Sequence, residues 1–579
     1  MKYELNELSN NNYNDLDKLK YNLLKTRGVK NVNDYINIID KPQYENSYNI
    51  LDNMDAAAQC LLKHIENGSK IFTIGDCDCD GICSMTELIH YLKSSFNDIN
   101  IEYAIHSGKQ HGLSYDIKVP EDTNLIIITD ASSNDYEQHK YYKDKGIDII
   151  VLDHHEAEKI SENAIVVNNQ LCNYPNKQLC GSAIVYKFLQ KLDEELWQLK
   201  ADDYLDLVAL GLIGDSMNIN EMETKYYIEK GLSKVRNKQF KALLKKQEYS
   251  TKGLVNINNI AFYIVPLINA MIRIGKQDEK LLLYKGFLEE YEEFDYKPRG
   301  NKPMVKEDIY TRVARLCSNT KSRQDKMRDK AFTELTELIE TKNKLKDKVL
   351  ILNCHQKYNL GLTGVIAIKV ADKYNRPCVL LNKSSDDENL YRGSGRNTDR
   401  NNVTNLKKLL NDTKLFEAEG HPQAMGVKIN KDNIKQGIEK LNDQLRDVSF
   451  DSSNYQVDFI IPFEDLEDEI VYEIDLLKGL WGKGLEEPKV AITNIEFGSN
   501  DVQVLGKTNN TLKIVVDGVE FIKFRIDSND KLIQQTSDWE DDSIKNFTLD
   551  VVGRCSSNVW DNKKSPQIII EDYNITKIN

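Results

Sequence analysis

The stretch Lys70-Ile-Phe-Thr-Ile-Gly75, which runs directly into Asp76-Cys-Asp-Cys-Asp80-Gly81, decides how this chain folds. It is a short apolar run, rich in β-branched side chains, that ends in acidic residues. The same arrangement returns twice, at 125–129 followed by Asp130 and at 147–152 followed by Asp153-His154-His155. Runs of this kind are typical of strands buried on both faces. The polar and helical stretches between them are long enough for right-handed crossovers, so the sequence predicts a parallel sheet in an α/β domain.

The acidic residues that follow the three runs are expected to meet. The carboxyl ends of neighbouring parallel strands share one edge of the sheet, and sites form there. Five aspartates and two histidines would then converge, and so many like charges need a cation. A fourth segment, 206–215, has a helical apolar pattern and ends in Asp215. Any one of these aspartates could be a helix cap or a loop residue, but the whole set favours a metal site, most simply a paired one.

The ligand types indicate which metal is bound. Oxygen donors with one or two imidazoles suit Mn²⁺ or Mg²⁺ better than zinc. Cys77, Cys79 and Cys83 raise a zinc alternative, but their C-x-C-x₃-C spacing is not the usual zinc pattern. If this run continues as a strand, Cys77 and Cys79 alternate with the aspartates and point away from the site. The sequence therefore predicts that these thiols are packing residues.

The ordered motifs resemble those of the DHH phosphoesterase superfamily, and the similarity to its RecJ-type single-strand exonucleases runs almost the whole length. Four metal motifs match in order, and segments further along match the DHH-associated domain. The matching residues are Asp76, Asp78, Asp80, Asp130, Asp153-His154-His155, Asp215, Leu179-Cys-Gly181, Ile268-Asn269-Ala270 with Arg273, Gly393-Ser394-Gly395-Arg396 and Glu419-Gly420-His421.

This resemblance implies a fold and a domain order. We expect an α/β protein with a parallel-sheet DHH domain, a DHH-associated α/β domain and a C-terminal β-barrel of the OB type. The predicted ranges are a helical lead-in at 1–50, the DHH domain at 51–235, a helical connector at 236–254, the DHH-associated domain at 255–448 and the OB-like domain at 455–579.

The resemblance also implies roles at the metal centre. Two divalent ions, about 3.5–4 Å apart, would clamp a phosphodiester and activate a water. Asp130 is expected to bridge the ions, and Asp153 to orient an imidazole from behind. His155 would ligate a metal or touch the scissile phosphate. The expected metal ligands are Asp76, Asp78, Asp80, Asp130, His154 and Asp215, and the expected catalytic residues are Asp130, Asp153, His154 and His155.

The DHH-associated domain is expected to supply the contacts to substrate phosphate. The segment Gly393-Ser394-Gly395-Arg396 offers backbone N–H groups, a hydroxyl and a guanidinium. An ordinary tight turn is the alternative interpretation of its glycines, and His421 could be an ordinary loop histidine. The family often has an Arg ahead of a Gly-Tyr-Gly-Leu segment, whereas the loop at 106–112 offers only His106 or Lys109. The predicted phosphate contacts are Asn269, Arg273, Ser394, Arg396 and His421.

The last 120 residues change to a two-residue period, with short strands at 502–505, 511–516, 519–526 and 566–570. Lys507, Lys513, Lys523 and Trp560 are candidates for contacts with single-stranded nucleic acid. An aromatic residue in a barrel is more often part of the core, which is the alternative for Trp560. The basic segment at 306–330 could likewise track a nucleic-acid backbone or be a solvated helix face.

Composition bounds the remaining possibilities. The 579 residues suffice for three or four domains, and the net charge of −14 means that nucleic-acid affinity must come from local basic patches and metals. The amino-terminal residues lack the apolar core of a signal peptide, and we expect no membrane span. The expected location is the bacterial cytoplasm, or the host cytoplasm if a virus encodes the protein, as its Asn- and Lys-rich composition suggests.

The favoured function is a Mn²⁺- or Mg²⁺-dependent exonuclease that acts on single-stranded DNA in recombination, repair or replication. The 5′→3′ direction is implied by the resemblance alone. Expected partners are single-stranded DNA and single-strand-binding or other replication proteins. Two alternatives stay open: a phosphodiesterase for short oligonucleotides or cyclic dinucleotides, and a non-catalytic replication scaffold of the same fold.

Overall fold

The protein is described by a computed structural model. It covers residues 1–106, 111–114, 117–354, 357–358, 360–384, 387–450, 453–506, 509–526, 530–537, 546–560 and 563–578, without the side chains of 360, 535–537 and 560. The chain forms two compact units. Unit A consists of Asn31–Asp325 and Gly479–Glu486. Unit B consists of Met1–Lys30, Lys326–Lys478 and Glu487–Asn579.

The strands of the described residues are, in chain order, β1 (Lys2–Leu5), β2 (Ile71–Gly75), β3 (Ile101–Ala104), β4 (Leu125–Thr129), β5 (Asp148–Asp153), β6 (Ile165–Asn168), β7 (Glu293–Tyr296), β8 (Val305–Asp308), β9 (Leu350–Asn353), β10 (Cys378–Lys383), β11 (Leu390–Arg396), β12 (Phe416–His421), β13 (Ala424–Asn430), β14 (Asn454–Val457), β15 (Phe459–Pro462), β16 (Val490–Gly498), β17 (Val502–Leu505), β18 (Thr511–Val516), β19 (Val519–Phe524), β20 (Asn546–Trp560) and β21 (Lys563–Ile578).

The α-helices are α1 (Leu16–Thr26), α2 (Val32–Ile36), α3 (Met54–Glu66), α4 (Cys79–Ser95), α5 (Tyr136–Lys143), α6 (Gly181–Leu196), α7 (Leu205–Gly214), α8 (Met222–Ser233), α9 (Lys238–Lys246), α10 (Glu248–Thr251), α11 (Ile257–Asn259), α12 (Val265–Ile274), α13 (Gln277–Phe287), α14 (Ile309–Thr341), α15 (Leu360–Tyr374), α16 (Leu406–Asp412), α17 (Ile434–Gln444), α18 (Asp468–Leu476) and α19 (Lys531–Ser537).

Unit A contains the predicted parallel sheet, in the order β3-β2-β4-β5-β6. Strands β2 and β4 are buried along their whole length, which explains why they are almost entirely apolar. Gly75 pairs with Thr129, and Thr129 pairs with Leu152. The three strands therefore end at the same level, and the acidic residues that follow them emerge along one edge. Helices α4, α6 and α7 pack against one another beside this sheet.

The turn after β2 differs from one feature of the sequence prediction. The strand ends at Gly75, and Asp78 caps α4 by accepting a hydrogen bond from the Gly81 N–H at 2.9 Å. The prediction that Cys77 and Cys79 alternate with the aspartates along a strand is therefore wrong, because Asp78 caps a helix that begins at Cys79. Cys79 and Cys83 are buried in α4, as expected of packing residues.

Unit B contains two larger sheets. The mixed sheet β12-β13-β11-β10-β9 surrounds an apolar core with α16 and α17. The seven-stranded sheet has the order β15-β16-β20-β21-β19-β18-β17 and is mostly antiparallel. The predicted C-terminal strands are confirmed, and β16 and β20 add to them. At the amino terminus, β1 pairs in parallel with β14, so Met1 and Tyr3 pack beside this sheet.

The segment Ile257–Ile274 is long and apolar enough to cross a membrane, as judged by length and composition alone. Half of it is buried inside the structure, as in the core helix of a globular protein. A π-helical turn at Ile260–Ile264 precedes α12, which has Pro266 in its first turn. The predicted domain boundaries at 50, 235, 254 and 448 stay predictions.

Candidate metal centre

The backbone conformation directly after β4 orients the carboxylate of Asp130 at the sheet edge. Asp130 follows β4 with φ +64°, and Ser132 has φ +88°, both in the left-handed region. The Asp130 N–H donates to the Leu152 carbonyl at 2.8 Å, which keeps this turn on the neighbouring strand. Such conformations are uncommon for residues other than glycine and cluster at functional sites. The turn places the Asp130 side chain in the middle of the acidic residues.

Among the described residues, three close groups of possible ligands share this edge: one combines Asp130 with Asp153, His154 and His155, and the other two contain the six predicted metal ligands. Of these two, the first contains Asp76, Asp78 and Asp130, and the second contains Asp80, His154 and Asp215. Within each group, one ligand atom from every residue lies within 4.8 Å of the others. All six predicted metal ligands are therefore brought together in unit A. None of the close ligand groups among the described residues includes Cys77, Cys79 or Cys83, which removes support from the zinc alternative.

Asp130 and His154 connect the two groups. The His154 Nε2 atom lies 3.1 Å from Asp130 Oδ1 and 3.5 Å from Asp215 Oδ2. Both oxygens of Asp130 and the Nε2 atom of His154 are buried but make no hydrogen bond. Buried polar atoms left without a partner cost free energy unless something else satisfies them. Converging oxygens and one imidazole nitrogen are the donor set of hard divalent cations, so these residues fit such ions.

The electrostatics of the site favour the binding of a cation. Burial, reinforced by neighbouring aspartates, raises the pKa of Asp130 and of Asp215 well above the ordinary value. The same causes raise the pKa of Asp78 to about 6. Burial, with the neighbouring His155, lowers the pKa of His154 and so favours the neutral ring, which is the form that ligates a metal. A cation would reverse the penalty on the carboxylates.

Asp153 organises the residues behind the metal ligands. It is fully buried and accepts hydrogen bonds from the N–H groups of Ser133 at 3.0 Å and His154 at 2.7 Å. The His155 Nδ1–H donates to it at 2.8 Å. Burial opposes ionisation of Asp153, but the hydrogen bond and charge of His155 outweigh burial and lower its pKa. The same contact outweighs desolvation of His155 and raises its pKa to about 9.

Backbone groups at the start of α6 hold Asp80. The N–H groups of Gly181 and Ser182 donate to its two carboxylate oxygens at 2.5 and 3.1 Å. A Cβ atom at Gly181 would lie 2.4 Å from the Cβ atom of Asp130. A Cβ atom at Gly211 of α7 would lie 2.2 Å from Asp80 Oδ1. Glycine at both positions lets two helices approach the carboxylates closely.

The loop before residue 113 contributes a contact that the sequence did not reveal. The His111 Nδ1–H donates to Asp76 at 2.7 Å, and the His111 ring is 66% exposed. His106, one of the two candidates for a phosphate contact in this segment, is buried. Lys109, the other candidate, lies outside the described residues. His111 belongs to the same segment, 106–112, but nothing in the sequence indicates that its ring reaches Asp76.

The predicted phosphate contacts fall in both units. In unit A, Asn269 and Arg273 are one turn apart on α12, and Arg273 is close enough to interact electrostatically with Asp78. In unit B, Ser394 and Arg396 are on β11, where the Ser394 hydroxyl lies 2.9 Å from that of Thr363 on α15. His421 is exposed at the end of β12.

Salt bridges occupy the basic side chains proposed for the C-terminal sheet. Lys513 pairs with Glu520 at 2.6 Å, and Lys523 pairs with Asp530 at 3.0 Å. Lys507 and the side chain of Trp560 lie outside the described residues. The basic segment at 306–330 falls largely in α14, and there too Arg315 pairs with Glu307 and Lys321 with Asp325. These pairs favour the solvated-face interpretation of α14.

Two parts of this chain match models of known protein families. The family model for the N-terminal domain of the DHH family matches residues 70–212, which contain β2 to β6 and the ligands as far as His155. The model for the RecJ OB domain matches residues 457–572, which cover the seven-stranded sheet. The class is therefore that of the DHH proteins, and the C-terminal sheet has an OB fold of the RecJ type.

The similar proteins agree along the whole chain. The SPbeta prophage-derived protein YorK of Bacillus subtilis, which is named for single-strand DNA-specific exonuclease activity, is 38% identical over 100% of this chain and 99% of its own length. RecJ of Escherichia coli is 22% identical over 90% of each chain. The crystal structure of RecJ from Thermus thermophilus with Mn²⁺ matches 99% of this chain and 79% of that chain, with a TM-score of 0.70 and 15% identity. The chain belongs to the RecJ family of single-strand DNA-specific exonucleases.

Proposed function

We propose that this protein is an exonuclease that hydrolyses phosphodiester bonds of single-stranded DNA with two bound Mn²⁺ or Mg²⁺ ions. The observation that carries the proposal is the pair of ligand groups that meet at Asp130 and His154, where both Asp130 carboxylate oxygens and the His154 Nε2 atom are buried without a hydrogen bond. The names of the relatives and the Mn²⁺ and Mg²⁺ in the RecJ crystal structures support the substrate and the ions.

The proposed roles divide between ligands and positioning residues. Divalent ions bound here would supply an activated water and neutralise charge on the phosphate. Asp76, Asp78 and Asp130 would hold one ion, and Asp80, His154 and Asp215 the other, with Asp130 between them. The backbone N–H groups of Gly181 and Ser182 fix the orientation of the Asp80 carboxylate within the second group.

His155 is proposed as the residue that contacts the scissile phosphate. Its Nδ1–H is held by Asp153, which leaves the exposed Nε2–H of the charged ring for a phosphate oxygen. Asp153 therefore acts through His155 and does not touch the substrate, like the carboxylates that orient histidines behind many metal sites. A charged imidazole would stabilise negative charge that grows on the phosphate during hydrolysis.

Two sets of residues are proposed to hold the strand. Asn269 and Arg273 present an amide and a guanidinium on one face of α12. In unit B, Ser394 and Arg396 lie beside Thr363 and Gly364, near the start of the fifteen-residue helix α15. Helix starts of this kind favour phosphate. His421 is a further candidate, and the C-terminal sheet would add affinity for longer strands.

Finer assignments rest on the family. We infer 5′→3′ polarity, a role in recombination, repair or replication, and action in the cytoplasm of a bacterium or of a phage-infected host, as the prophage origin of YorK supports. Single-strand-binding or other replication proteins are proposed partners. The oligonucleotide or cyclic-dinucleotide alternative is less favoured, because a very small substrate does not need the seven-stranded sheet.

The direct test uses end-labelled single strands and Mn²⁺, with the wild type and Asp130→Ala. We expect successive removal of nucleotides by the wild type and a loss of at least about 10³-fold in the variant, because both ions lose a shared ligand. Equal rates would contradict the proposed centre and favour a scaffold. A dinucleotide cleaved faster than a long strand would favour the alternative substrate class.

A further inference from the structure

A second group of metal-type ligands lies outside the catalytic edge. Cys60 and His64 are one turn apart on α3, and Asp148 begins β5. One ligand atom from each of the three lies within 4.8 Å of the others, and all three residues are partly buried. Among the described residues, this is the one close group that includes a thiol.

This group is separate from the catalytic residues. Asp148 starts β5, whereas Asp153, at the other end of the same strand, lies behind the metal centre. Five residues of strand at about 3.3 Å each separate them by roughly 16 Å. Cys60, His64 and Asp148 therefore lie at the amino-terminal edge of the parallel sheet, opposite the edge that carries the carboxylates.

The imidazole of His64 is held as a ligand would be. Its Nδ1 atom lies 3.0 Å from the Ser69 hydroxyl, and its Nε2 atom lies 3.0 Å from Asp148 Oδ2. When Nδ1–H donates to Ser69, Nε2 carries the lone pair and faces a carboxylate oxygen. That arrangement is stable only with a proton or a metal ion between the two atoms. Such a hydrogen bond behind a histidine is common at metal sites.

Both carboxylate oxygens of Asp148 have partners in this structure, and a metal ion would replace the proton between Oδ2 and the His64 Nε2 atom. Lys143 binds Asp148 Oδ1 at 2.7 Å, and Oδ2 remains directed at His64. Burial raises the pKa of the Cys60 thiol, and Asp148 raises it further, while Lys143 and Lys63 lower it. The thiol is thus protonated in the metal-free protein. Binding of a metal would release that proton to solvent.

We propose that Cys60, His64 and Asp148 bind Zn²⁺, with a water as fourth ligand. A thiolate, an imidazole and a carboxylate are all zinc ligands, whereas Mn²⁺ and Mg²⁺ do not favour a thiolate. Tetrahedral zinc with bonds of about 2.0–2.3 Å separates its ligand atoms by about 3.3–3.8 Å. The His64 Nε2 and Asp148 Oδ2 atoms, now 3.0 Å apart, would separate slightly, and the other ligand atoms, all within 4.8 Å, would approach by no more than about 1.5 Å. The ion would link α3 to β5 and stabilise unit A. This inference does not depend on the proposed exonuclease function.

Cobalt substitution tests the site in the full chain. With excess Mg²⁺ present to occupy the catalytic centre, Co²⁺ is added to the wild type, Cys60→Ser and Cys172→Ser. Cys172 is a matched control, because it is also partly buried but belongs to no close ligand group. We expect a thiolate-to-cobalt charge-transfer band in the wild type and in Cys172→Ser, none in Cys60→Ser, and its loss when Zn²⁺ is added. No band in the wild type, or an equal band in Cys60→Ser, would overturn the proposal.

Affinity and stability give a second readout. Ser69→Ala is expected to lower Zn²⁺ affinity about tenfold, as removal of such supporting groups usually does. Zn²⁺ should raise the Tm of the wild type but not that of Asp148→Asn. The Asp148→Asn variant keeps the size of the side chain and can therefore be used if Cys60→Ser folds poorly. The Mn²⁺-dependent rate should be the same in the wild type and in Cys60→Ser. An equal rise in Tm for the wild type and Asp148→Asn would contradict the site.

Discussion

Substitution of Gly211 by Ala perturbs the metal centre without removing any ligand. Gly211 is on α7, and an added Cβ atom would lie 2.2 Å from Asp80 Oδ1 and 2.2 Å from the Ser182 hydroxyl. Both neighbours are buried, and Asp80 is already fixed by two backbone N–H groups. The methyl group therefore displaces the Asp80 carboxylate from its place in the second ligand group.

The structure sets the size of the expected effect. Non-bonded carbon and oxygen atoms need about 3.2 Å or more, so the carboxylate must move by roughly 1 Å. A misplacement of about 1 Å at a catalytic group costs on the order of 100-fold in rate. In a helix, Gly→Ala alone would stabilise by about 1 kcal/mol, whereas overpacking costs about 1–3 kcal/mol. We therefore expect a much lower kcat with a small net change in Tm.

The assay compares nuclease rate on single-stranded DNA with Tm for Gly211→Ala and for a control, Gly437→Ala. Gly437 is on α17 of unit B, and its added Cβ atom would lie 2.7 Å from the Phe416 ring. The control overpacks a helix that carries none of the metal ligands. We expect it to lower Tm while the rate per folded molecule stays unchanged. A normal rate and normal Tm in Gly211→Ala would refute the close approach of α7 to Asp80.

Three further predictions follow from the site. Asp153→Asn should lower the rate about 10–100-fold, because His155 loses the carboxylate that orients and charges it, whereas an unchanged rate would remove Asp153 from the mechanism. His111→Gln should raise the Mn²⁺ concentration for half-maximal activity about tenfold if its contact with Asp76 supports the metal ligands; an unchanged metal titration would show that it does not. The pKa of Asp78 is raised to about 6, so its contribution to the stability of the metal-free protein is present below about pH 4 and is lost as the pH rises through 6. Between pH 4 and pH 6 the Tm of the wild type should therefore fall by more than the Tm of Asp78→Asn. Parallel Tm curves for the two would contradict that shift.

Much of unit A could be predicted because its signals are local. Buried parallel strands require continuous apolar runs, and the runs at 70–75, 125–129 and 147–152 form β2, β4 and β5 of the expected sheet. The strand register then brings the acidic residues together. The signal for α7 is also local, because the apolar residues of the segment 206–215 repeat with a helical period.

Other features depend on contacts between distant residues and could not be predicted. No local pattern indicates that the His111 ring reaches Asp76, or that Gly211 must lack a side chain so that α7 can approach Asp80. For the basic residues of the C-terminal sheet, the sequence suggested a function that the structure does not support. Lys513 and Lys523 looked available in the sequence, but cross-strand and loop carboxylates pair with both. Composition shows the charge of a residue but not its partner.

Anomalous diffraction from crystals of the full chain soaked in Mn²⁺ would locate the proposed ions. We expect two manganese peaks at the carboxyl-terminal edge of the parallel sheet, one beside each ligand group, with Asp130 in contact with both. A single peak, or peaks that leave Asp130 and His154 without a metal contact, would contradict the proposed centre.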